Sequence, residues 1–487
     1  MTDLTAGATE GAEVPGVQTH RLKPNSLGVL GILFFVFSGQ APLTGIAGAV
    51  PIAIVIGNGA GVPTAYIAAG VIILVFSIGF VAMGRHVVHA GAFYAYIGKG
   101  LGETTGVSGA LVALFAYNTI QAAMYGLYGV VVEGIFVKHF SIDLPWWFWA
   151  LATMAIVQIL GTLGIDIGAR CWPCSWRPSS ASCPSSRSSP SSRAAAPRGW
   201  ELPTRSASAQ PPQEPPASRS CSPSLDVRLR GNRHLRRGGS RAPQDGPAGD
   251  VPLGPDHHRL LRFVTWMLVA FYGPSNVVDD AGKALEAGNG ATFVFDAVGA
   301  QLGSWTGDVL EVLLATSLFA GILAFHNSIT RYLFSLSRDR VIPRSVSRLN
   351  QRHSPWVAGA VQTGIVLLLT MPFAILGKDP VLTLFSWFSG VAVLGMMLLY
   401  FMTSISVVVF FRRTPSESSL ARTLVAPVVG SIGIGIAVWL ILDNFQTLIG
   451  GSATTAFWLG ITVPIIAIAG AVLGWARRNV ISRELID

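Results

Sequence analysis

Long apolar runs separated by short polar loops dominate the pattern along the chain. Nine runs are long enough to cross a bilayer, which takes about 20 residues, and a tenth is truncated. In order they are Leu27–Ile56, Val62–Met83, Gly106–Val137, Trp146–Ile165, the short run Leu260–Phe271, Val309–Phe334, Trp356–Leu376, Val381–Phe411, Leu424–Leu442 and Ala456–Trp475. The pattern predicts an all-α membrane protein, and a composition of 51% hydrophobic and 12% charged residues supports this class.

The first run contains an interruption, FSGQAPLTG, from Phe37 to Gly45. It brings polar or helix-weakening residues to bilayer depth, where backbone groups need partners inside the protein: Ser38, Gly39, Gln40, Pro42, Thr44 and Gly45. One interpretation is a proline-kinked helix, since Gly and Pro are ordinary in membrane helices. The other is a broken helix that holds the substrate of a transporter.

Arginine distinguishes the two sides of the predicted bundle. Arginines follow the second, fourth, sixth and eighth runs and the last one, whereas the loops between them are nearly free of arginine. Residues 1–26 form a polar tail without the apolar stretch and cleavage site of a signal peptide. The positive-inside rule therefore predicts a multi-pass protein of the cytoplasmic membrane with both tails, residues 1–26 and 477–487, in the cytoplasm.

The segment 171–259 differs sharply from the rest of the chain. From Cys171 to Arg262 there are 14 arginines and six acidic residues, so this stretch carries +8 of the net charge of +9, together with all four cysteines and 15 of 29 prolines. Such a composition is typical of a disordered insert. Cys171 and Cys174 lack the second ligand pair of a zinc site, and the scattered arginines lack the aromatic residues of a nucleic-acid surface. We therefore predict no metal, no cofactor and no nucleic-acid partner.

The genetic code offers another explanation for this segment. The codons for Cys171 to Pro178, read from the third base with serine in its TCN family, give Leu, Ala, Leu/Met/Val, Leu/Phe, Leu/Met/Val and Ala, followed by a small residue or proline. From the second base of the Asp226 codon, the codons to Gly239 permit MFGFEATAIYGEEA. The first hidden reading is apolar enough for a membrane helix. The pattern favours a frame-shifted translation over a genuine insert.

Three single-base slips, all of them insertions or all of them deletions, total one codon and would restore the reading frame. They would lie near Gly168–Cys171, Cys221–Ser224 and Arg262. Restoration adds two helices, the fifth and sixth, and completes the truncated seventh, so that the parent has twelve spans. The predicted organisation is then helices 1–4 in residues 27–170, the anomalous segment 171–259, and the remnant of helix 7 with helices 8–12 in residues 260–476.

Three motifs together resemble permeases of the amino acid, polyamine and organocation superfamily. They are FFVFSGQAPLTGIAGAVP (34–51), AGAFYAYIGKGLG (90–102) and FHNSITRYLFSLSRDRVIP (325–343), and the permitted FGFEATAIYGEEA is similar to that family's broken sixth helix. The resemblance implies two five-helix inverted repeats, each beginning with a broken helix, and two trailing helices. It also implies a pocket shared by the first, third, sixth and eighth helices.

The broken first helix predicts a substrate-binding site. Amides at the start of a helix suit a carboxylate, and carbonyls at the end of the preceding half suit an ammonium group. We expect the carboxylate of an amino acid near Thr44, Gly45 and Ile46, and its amine near Ser38, Gly39 and Gln40. Ala41 and Pro42 lie between these two groups and complete the binding segment.

Two later spans supply further candidates. Tyr117, Gln121 and Tyr125 recur every four residues, so they share one helix face, and Asn118 adjoins it. A polar stripe that joins helices is an equally valid interpretation of these residues. His326 and Asn327 lie deep in another span, where a histidine either relays protons, contacts substrate or packs through hydrogen bonds.

Two other groups have a structural and a functional interpretation. Phe385, Trp387 and Phe388 form either a hydrophobic gate or ordinary packing. The arginines from Arg331 to Arg344 form either a topology anchor or an inner gate. We predict that residues 90–102 form an amphipathic helix at the inner membrane interface.

The predicted function is that of a secondary transporter for amino acids or related amines, with the proton as coupling ion by family analogy. We do not predict an enzyme, because the sequence has no HExxH, no GxSxG and no paired acids within the spans. A channel would favour a selectivity loop and rings of charge. A carrier of another small organic solute, or a non-transporting membrane protein with a cytoplasmic insert, remains the alternative.

Overall fold

The computed structural model describes residues 41–87, 93–163, 254–287, 290–414 and 420–477, with only the backbone at 254–258. All described residues belong to one compact unit. The predicted segment 171–259 lies outside the described residues, except for its last few positions.

Every regular element in the described ranges is helical, which confirms the all-α membrane fold. The irregular helix α1 covers residues 42–58. The others are α2 (Val62–Gly84), α3 (Phe93–Leu101), α4 (Glu103–Phe140), α5 (Trp146–Leu163), α6 (Gly254–Tyr272), α7 (Val277–Glu286), α8 (Thr292–Leu302), α9 (Trp305–Arg338), α10 (Trp356–Ile375), α11 (Pro380–Arg413), α12 (Ala421–Asp443), α13 (Phe445–Ile449) and α14 (Ala453–Arg477).

Eight stretches in the described ranges are long and apolar enough to cross a membrane. One of them, Pro42–Gly84, contains both α1 and α2, which are separated where the backbone of Gly57 leaves the helical region and Gly59 has a positive φ. The eight stretches correspond to the nine long runs predicted from the sequence, although residues 27–40 of the first run and 164–165 of the fourth lie outside the described residues. The truncated run is α6, whose 19 residues begin at Gly254, before the predicted start at Leu260.

The helix α4 lies at the centre of the bundle and packs against α3, α5, α9, α10, α11 and α14. Small residues make these close approaches possible. A Cβ on Gly470 of α14 would lie 2.6 Å from Ser108 Cα, and one on Gly129 would lie 2.6 Å from the carbonyl oxygen of Trp146. Larger side chains at these glycines would force the helices apart.

The helix α3 corresponds to the amphipathic helix predicted at residues 90–102. It packs against α4 and α11, and its residues Phe93, Tyr94, Tyr96 and Ile97 are buried. The hydroxyl of Ser406 on α11 donates to the carbonyl of Tyr96 at 2.5 Å. This short helix is therefore an integral part of the packed bundle. Its predicted position at the inner membrane interface stays a prediction.

Candidate substrate site

The helix α1 begins abruptly within the predicted interruption. Ala41, immediately before it, has φ 38° and ψ 65°, a left-handed conformation that is unusual for a residue with a side chain. Pro42 occupies the first helical position, where its missing N–H costs no hydrogen bond. The helix thus starts at Pro42. Ser38, Gly39 and Gln40, the predicted amine-binding residues, lie outside the described residues.

The hydrogen bonds of this first turn refine the predicted carboxylate site. The amide of Gly45 already donates to the carbonyls of Ala41, at 3.2 Å, and of Pro42. First-turn amides have no acceptor within their own helix, which leaves those of Leu43 and Thr44 available. Ile46 lies one residue further on and is buried. The groups best placed for an anion are thus the amides just before Gly45.

Thr44 adds a polar side chain at the same place. Its hydroxyl is buried and has no hydrogen-bond partner among the described residues. A buried hydroxyl without a partner is uncommon, because desolvation without a compensating bond is costly. The turn that carries Thr44 packs against α9, and the next turn packs against α6 and α8.

The backbone after Thr44 is also irregular. Residues Gly45–Ala49 and Ala53–Asn58 form wide π-type turns, with Pro51 in the α-helical turn between them. π-type turns within membrane helices are frequent at functional sites. A Cβ on Gly45 would lie 3.7 Å from Leu261 of α6, and one on Gly48 would lie 3.1 Å from Leu127 of α4.

The polar residues predicted on α4 fall into two groups. Gln121 is fully buried, donates to the carbonyl of Ile322 on α9 at 3.2 Å, and accepts from the amide of Gln362 on α10. It thus joins three helices, as expected for a polar stripe. Asn118 donates to Leu114 of its own helix at 2.7 Å, and its Oδ1 has no partner among the described residues. Asn118 therefore retains a free acceptor.

Aromatic contacts surround Tyr117 on the same helix. Its ring centroid lies 6.4 Å from that of Phe325 and 6.3 Å from that of Tyr332, both on α9. Tyr117 is half-buried, whereas Tyr125, two turns along, is almost completely buried. This face of α4 is therefore the one that packs against α9.

His326 and Asn327 contact α5 in this structure. A Cβ on Gly161 of α5 would lie only 2.7 Å from His326 Nε2 and 3.7 Å from Asn327 Oδ1, and one on Gly359 of α10 would lie 3.5 Å from His326 Nε2. The imidazole thus occupies a notch between two glycines. Its Nδ1 is buried without a partner among the described residues.

The aromatic residues predicted as a gate or as packing form a contact cluster. Phe373 of α10 lies between Trp387 and Phe388 of α11, with ring centroids 5.8 and 5.3 Å away. Phe385 approaches α1, since a Cβ on Gly48 would lie 3.7 Å from its ring. Packing explains these contacts, and a gating role stays a prediction.

An ion-pair cluster joins the opposite ends of α4 and α9. The ammonium of Lys138 lies 2.5 Å from Asp308 and 3.3 Å from Glu311. His139 lies beside the two carboxylates, and the possible metal ligands of His139, Asp308 and Glu311 are within 4.8 Å of one another. The Lys138 ammonium already neutralises part of this charge. The cluster belongs to the helix ends and not to the helix break.

Comparison with known proteins agrees with this architecture. Residues 261–473, which include most of α6 and nearly all of the chain to the end of α14, match the model of the amino acid permease family. The matched residues make up somewhat less than half of the chain, and over them the chain is similar to amino acid permeases. No curated protein matches the chain. The matched residues include His326 and Asn327, whereas the start of α1 and the polar face of α4 lie outside the match.

The similarity over residues 261–473 and the eight long apolar stretches in the described ranges support a multi-pass membrane protein of the transporter type. A permease moves small molecules through a bilayer. This similarity therefore favours a transporter over an enzyme and agrees with the resemblance based on the three sequence motifs.

Proposed function

We propose that this permease carries amino acids or related amines across the cytoplasmic membrane, and that its substrate binds at the start of α1. The observation that carries the proposal is the helix start at Pro42, which follows a left-handed Ala41 and presents a buried, unpartnered Thr44 hydroxyl. The positive end of a helix attracts a carboxylate. Broken helices of this kind bind substrate in inverted-repeat transporters.

In the proposed pose, the substrate carboxylate lies at the amides of Leu43 and Thr44 and the Thr44 hydroxyl. Its ammonium group lies at the carbonyl end of the preceding half-helix, near Ser38, Gly39 and Gln40. Ala41, Pro42, Gly45 and Ile46 form the wall between the two groups. The free Oδ1 of Asn118 is a further acceptor, and Tyr117 lies on the same helix.

Gln121, His326 and Asn327 have different roles in this proposal. Gln121 fixes α4 to α9 and α10 through its hydrogen bonds.

We propose the proton as the coupling ion, with both termini in the cytoplasm. His326, a buried titratable group outside the helix break, is the described residue that best supports proton coupling. Asn327 lies next to it at Gly161.

We further propose that the chain with residues 171–259 as printed does not transport. Alternating access moves one bundle of broken helices against a scaffold around a shared site. In the printed sequence, the codons for the second broken helix are translated in another frame. A frame-corrected chain restores that helix and the wall it contributes to the pocket.

Uptake of labelled amino acids into proteoliposomes tests the proposal. The frame-corrected protein is expected to accumulate at least one amino acid or amine, and added unlabelled substrate should compete. Chemical analysis of the recovered substrate distinguishes a carrier from an enzyme, since a carrier leaves it unchanged. Uptake limited to another class of organic solute would favour a same-fold carrier. No uptake of any solute would favour a non-transporting membrane protein.

A further inference from the structure

The most strongly charged surface of the described chain is the connection between α9 and α10. Residues 338–352, called here the arginine loop, contain five arginines and one acidic residue, Asp339. All five arginines are exposed: Arg338, Arg340, Arg344, Arg348 and Arg352.

The first half of the arginine loop is held in place by the fold. The hydroxyl of Ser337 donates to the carbonyl of Pro343 at 2.7 Å, and Val346 is buried beneath the 3-10 turn Arg344–Ser347. The guanidinium of Arg477, at the end of α14, donates to the carbonyls of Arg340 and Val341 at 3.0 Å each.

The second half is fixed to α5. The side-chain amide of Asn350 donates to the carbonyl of Thr162 at 2.8 Å, and the hydroxyl of Ser354 donates to the carbonyl of Gly161 at 2.8 Å. Asn350 also accepts from the backbone amides of Arg352 and Ser354. The loop therefore presents its guanidinium groups from a defined backbone.

The positive charge of the loop is not neutralised locally. Across the described ranges, no carboxylate pairs with any of the five arginines. The Oδ2 atom of Asp339 is buried in the protein, and the negative charge of this residue interacts electrostatically with Tyr94 of α3. Burial raises the pKa of the Tyr94 hydroxyl, and the negative charge of Asp339 adds to the rise. The acid thus lies near α3 while the arginines remain exposed.

Other arginines lie at the same end of the bundle. Arg413, at the end of α11, donates to the carbonyl of Gly100, and Arg412 beside it is exposed. Arg422 is exposed in the first turn of α12. One end of the helical bundle therefore carries a broad cationic surface.

We propose that the arginine loop is a binding surface for the phosphate-bearing headgroups of anionic phospholipids in the adjacent leaflet. Guanidinium groups bind phosphate through paired, charge-assisted hydrogen bonds, and each basic residue near an anionic surface adds about 1 kcal/mol. The rigid backbone lowers the entropic cost of holding several guanidiniums around one headgroup. The inference does not depend on transport activity.

Native mass spectrometry of the purified full chain tests this inference. The probes are phosphatidylglycerol and phosphatidylcholine with identical acyl chains. The double variant Arg344→Gln/Arg348→Gln removes two charges from the arginine loop. Its matched control, Lys283→Gln/Lys378→Gln, removes two exposed charges outside that end of the bundle. All proteins are first checked for monodispersity.

The expected result is preferential retention of phosphatidylglycerol by the unmodified chain and by the lysine control. The arginine double variant should bind it about 25-fold more weakly, which is about fivefold per arginine. Equal retention of the two lipids, or unchanged phosphatidylglycerol binding by the arginine variant, would overturn the proposal. Displacement of the lipid by millimolar inorganic phosphate would also overturn it, since the site would then be one for soluble anions.

Discussion

At the scale of single residues, the candidate site depends on atoms that lack a partner. The Thr44 hydroxyl and Asn118 Oδ1 are buried without a hydrogen-bond partner among the described residues. In contrast, both the amide nitrogen and the amide oxygen of Gln121 form hydrogen bonds. Burying an unsatisfied polar group costs about 1–3 kcal/mol. A substrate that supplies the missing bonds recovers this free energy. The unpaired groups are therefore better candidates for recognition than the paired ones.

Replacing Gly45 tests the position of the substrate. A Cβ at Gly45 would make an ordinary contact, 3.7 Å from Leu261, so Gly45→Ala should be tolerated. Leucine adds three more carbon atoms beside the helix start, and Gly45→Leu should abolish uptake in the frame-corrected protein while expression and insertion persist. Gly134→Leu is the control, because a Cβ there meets nothing within 4 Å. Normal uptake by Gly45→Leu would remove the main support for the proposed site.

The notch that holds His326 makes a prediction about stability. Gly161→Ala would bring a Cβ to 2.7 Å from His326 Nε2 and should lower the free energy of unfolding by about 1–3 kcal/mol. Gly364→Ala on α10 has open space around its Cβ and should be neutral or slightly stabilising, because alanine favours helix. Detergent-based unfolding of both variants measures the difference. Equal stability of the two would argue against a tightly packed imidazole.

At the scale of helices, the length of the apolar runs predicts the spans well, but it does not predict which helices pack against each other. The length of an apolar run predicts α4 and α9 to α12 directly, because a segment that crosses lipid must form its backbone hydrogen bonds within itself. The pairing of Gln121 with Gln362 depends on residues 241 positions apart, which no local pattern reveals. For the same reason, no local pattern predicts that His326 faces glycines on α5 and α10.

The helix α1 starts inside the interruption that the sequence marks between Phe37 and Gly45. Pro42 suits this position because it has no backbone N–H to donate to a preceding helical turn, whereas the first helical position needs no such donor. The sequence alone did not show that the amide of Gly45 is used by Ala41 and Pro42. That detail depends on backbone dihedrals, which shifted the proposed anion site toward Leu43 and Thr44.

Helix packing around α4 gives a prediction at this scale. Gly470→Ala would place a Cβ 2.6 Å from the backbone of Ser108, which cannot rotate away, and would disturb the 2.6 Å hydrogen bond from the Ser108 hydroxyl to the carbonyl of Ala467. We expect a loss of at least about 1–3 kcal/mol in unfolding free energy. Gly134→Ala on the exposed side of α4 is the control. A stable Gly470→Ala protein would mean that α14 packs less closely than the structure shows.

At the scale of the whole molecule, we propose that a change of reading frame has removed two helices from a membrane transporter. The spans on either side keep their order and their alternation of arginine-rich and arginine-poor ends, because the loss of an even number of spans preserves the side of every later loop. The family match to residues 261–473 begins just where the proposed frame is restored. This agreement supports the account without relying on the structure of the central segment.

The most direct test is an independent determination of the DNA across the codons for Gly168 to Arg262. We expect three single-base differences, all insertions or all deletions, near codons 168–171, 221–224 and 262. After correction, the translation should contain two additional apolar helices, the second of them with the FGFEATAIYGEEA sequence. An unchanged DNA sequence, together with amino acid uptake by the stable, monodisperse 487-residue protein, would contradict the account and identify residues 171–259 as a genuine insert.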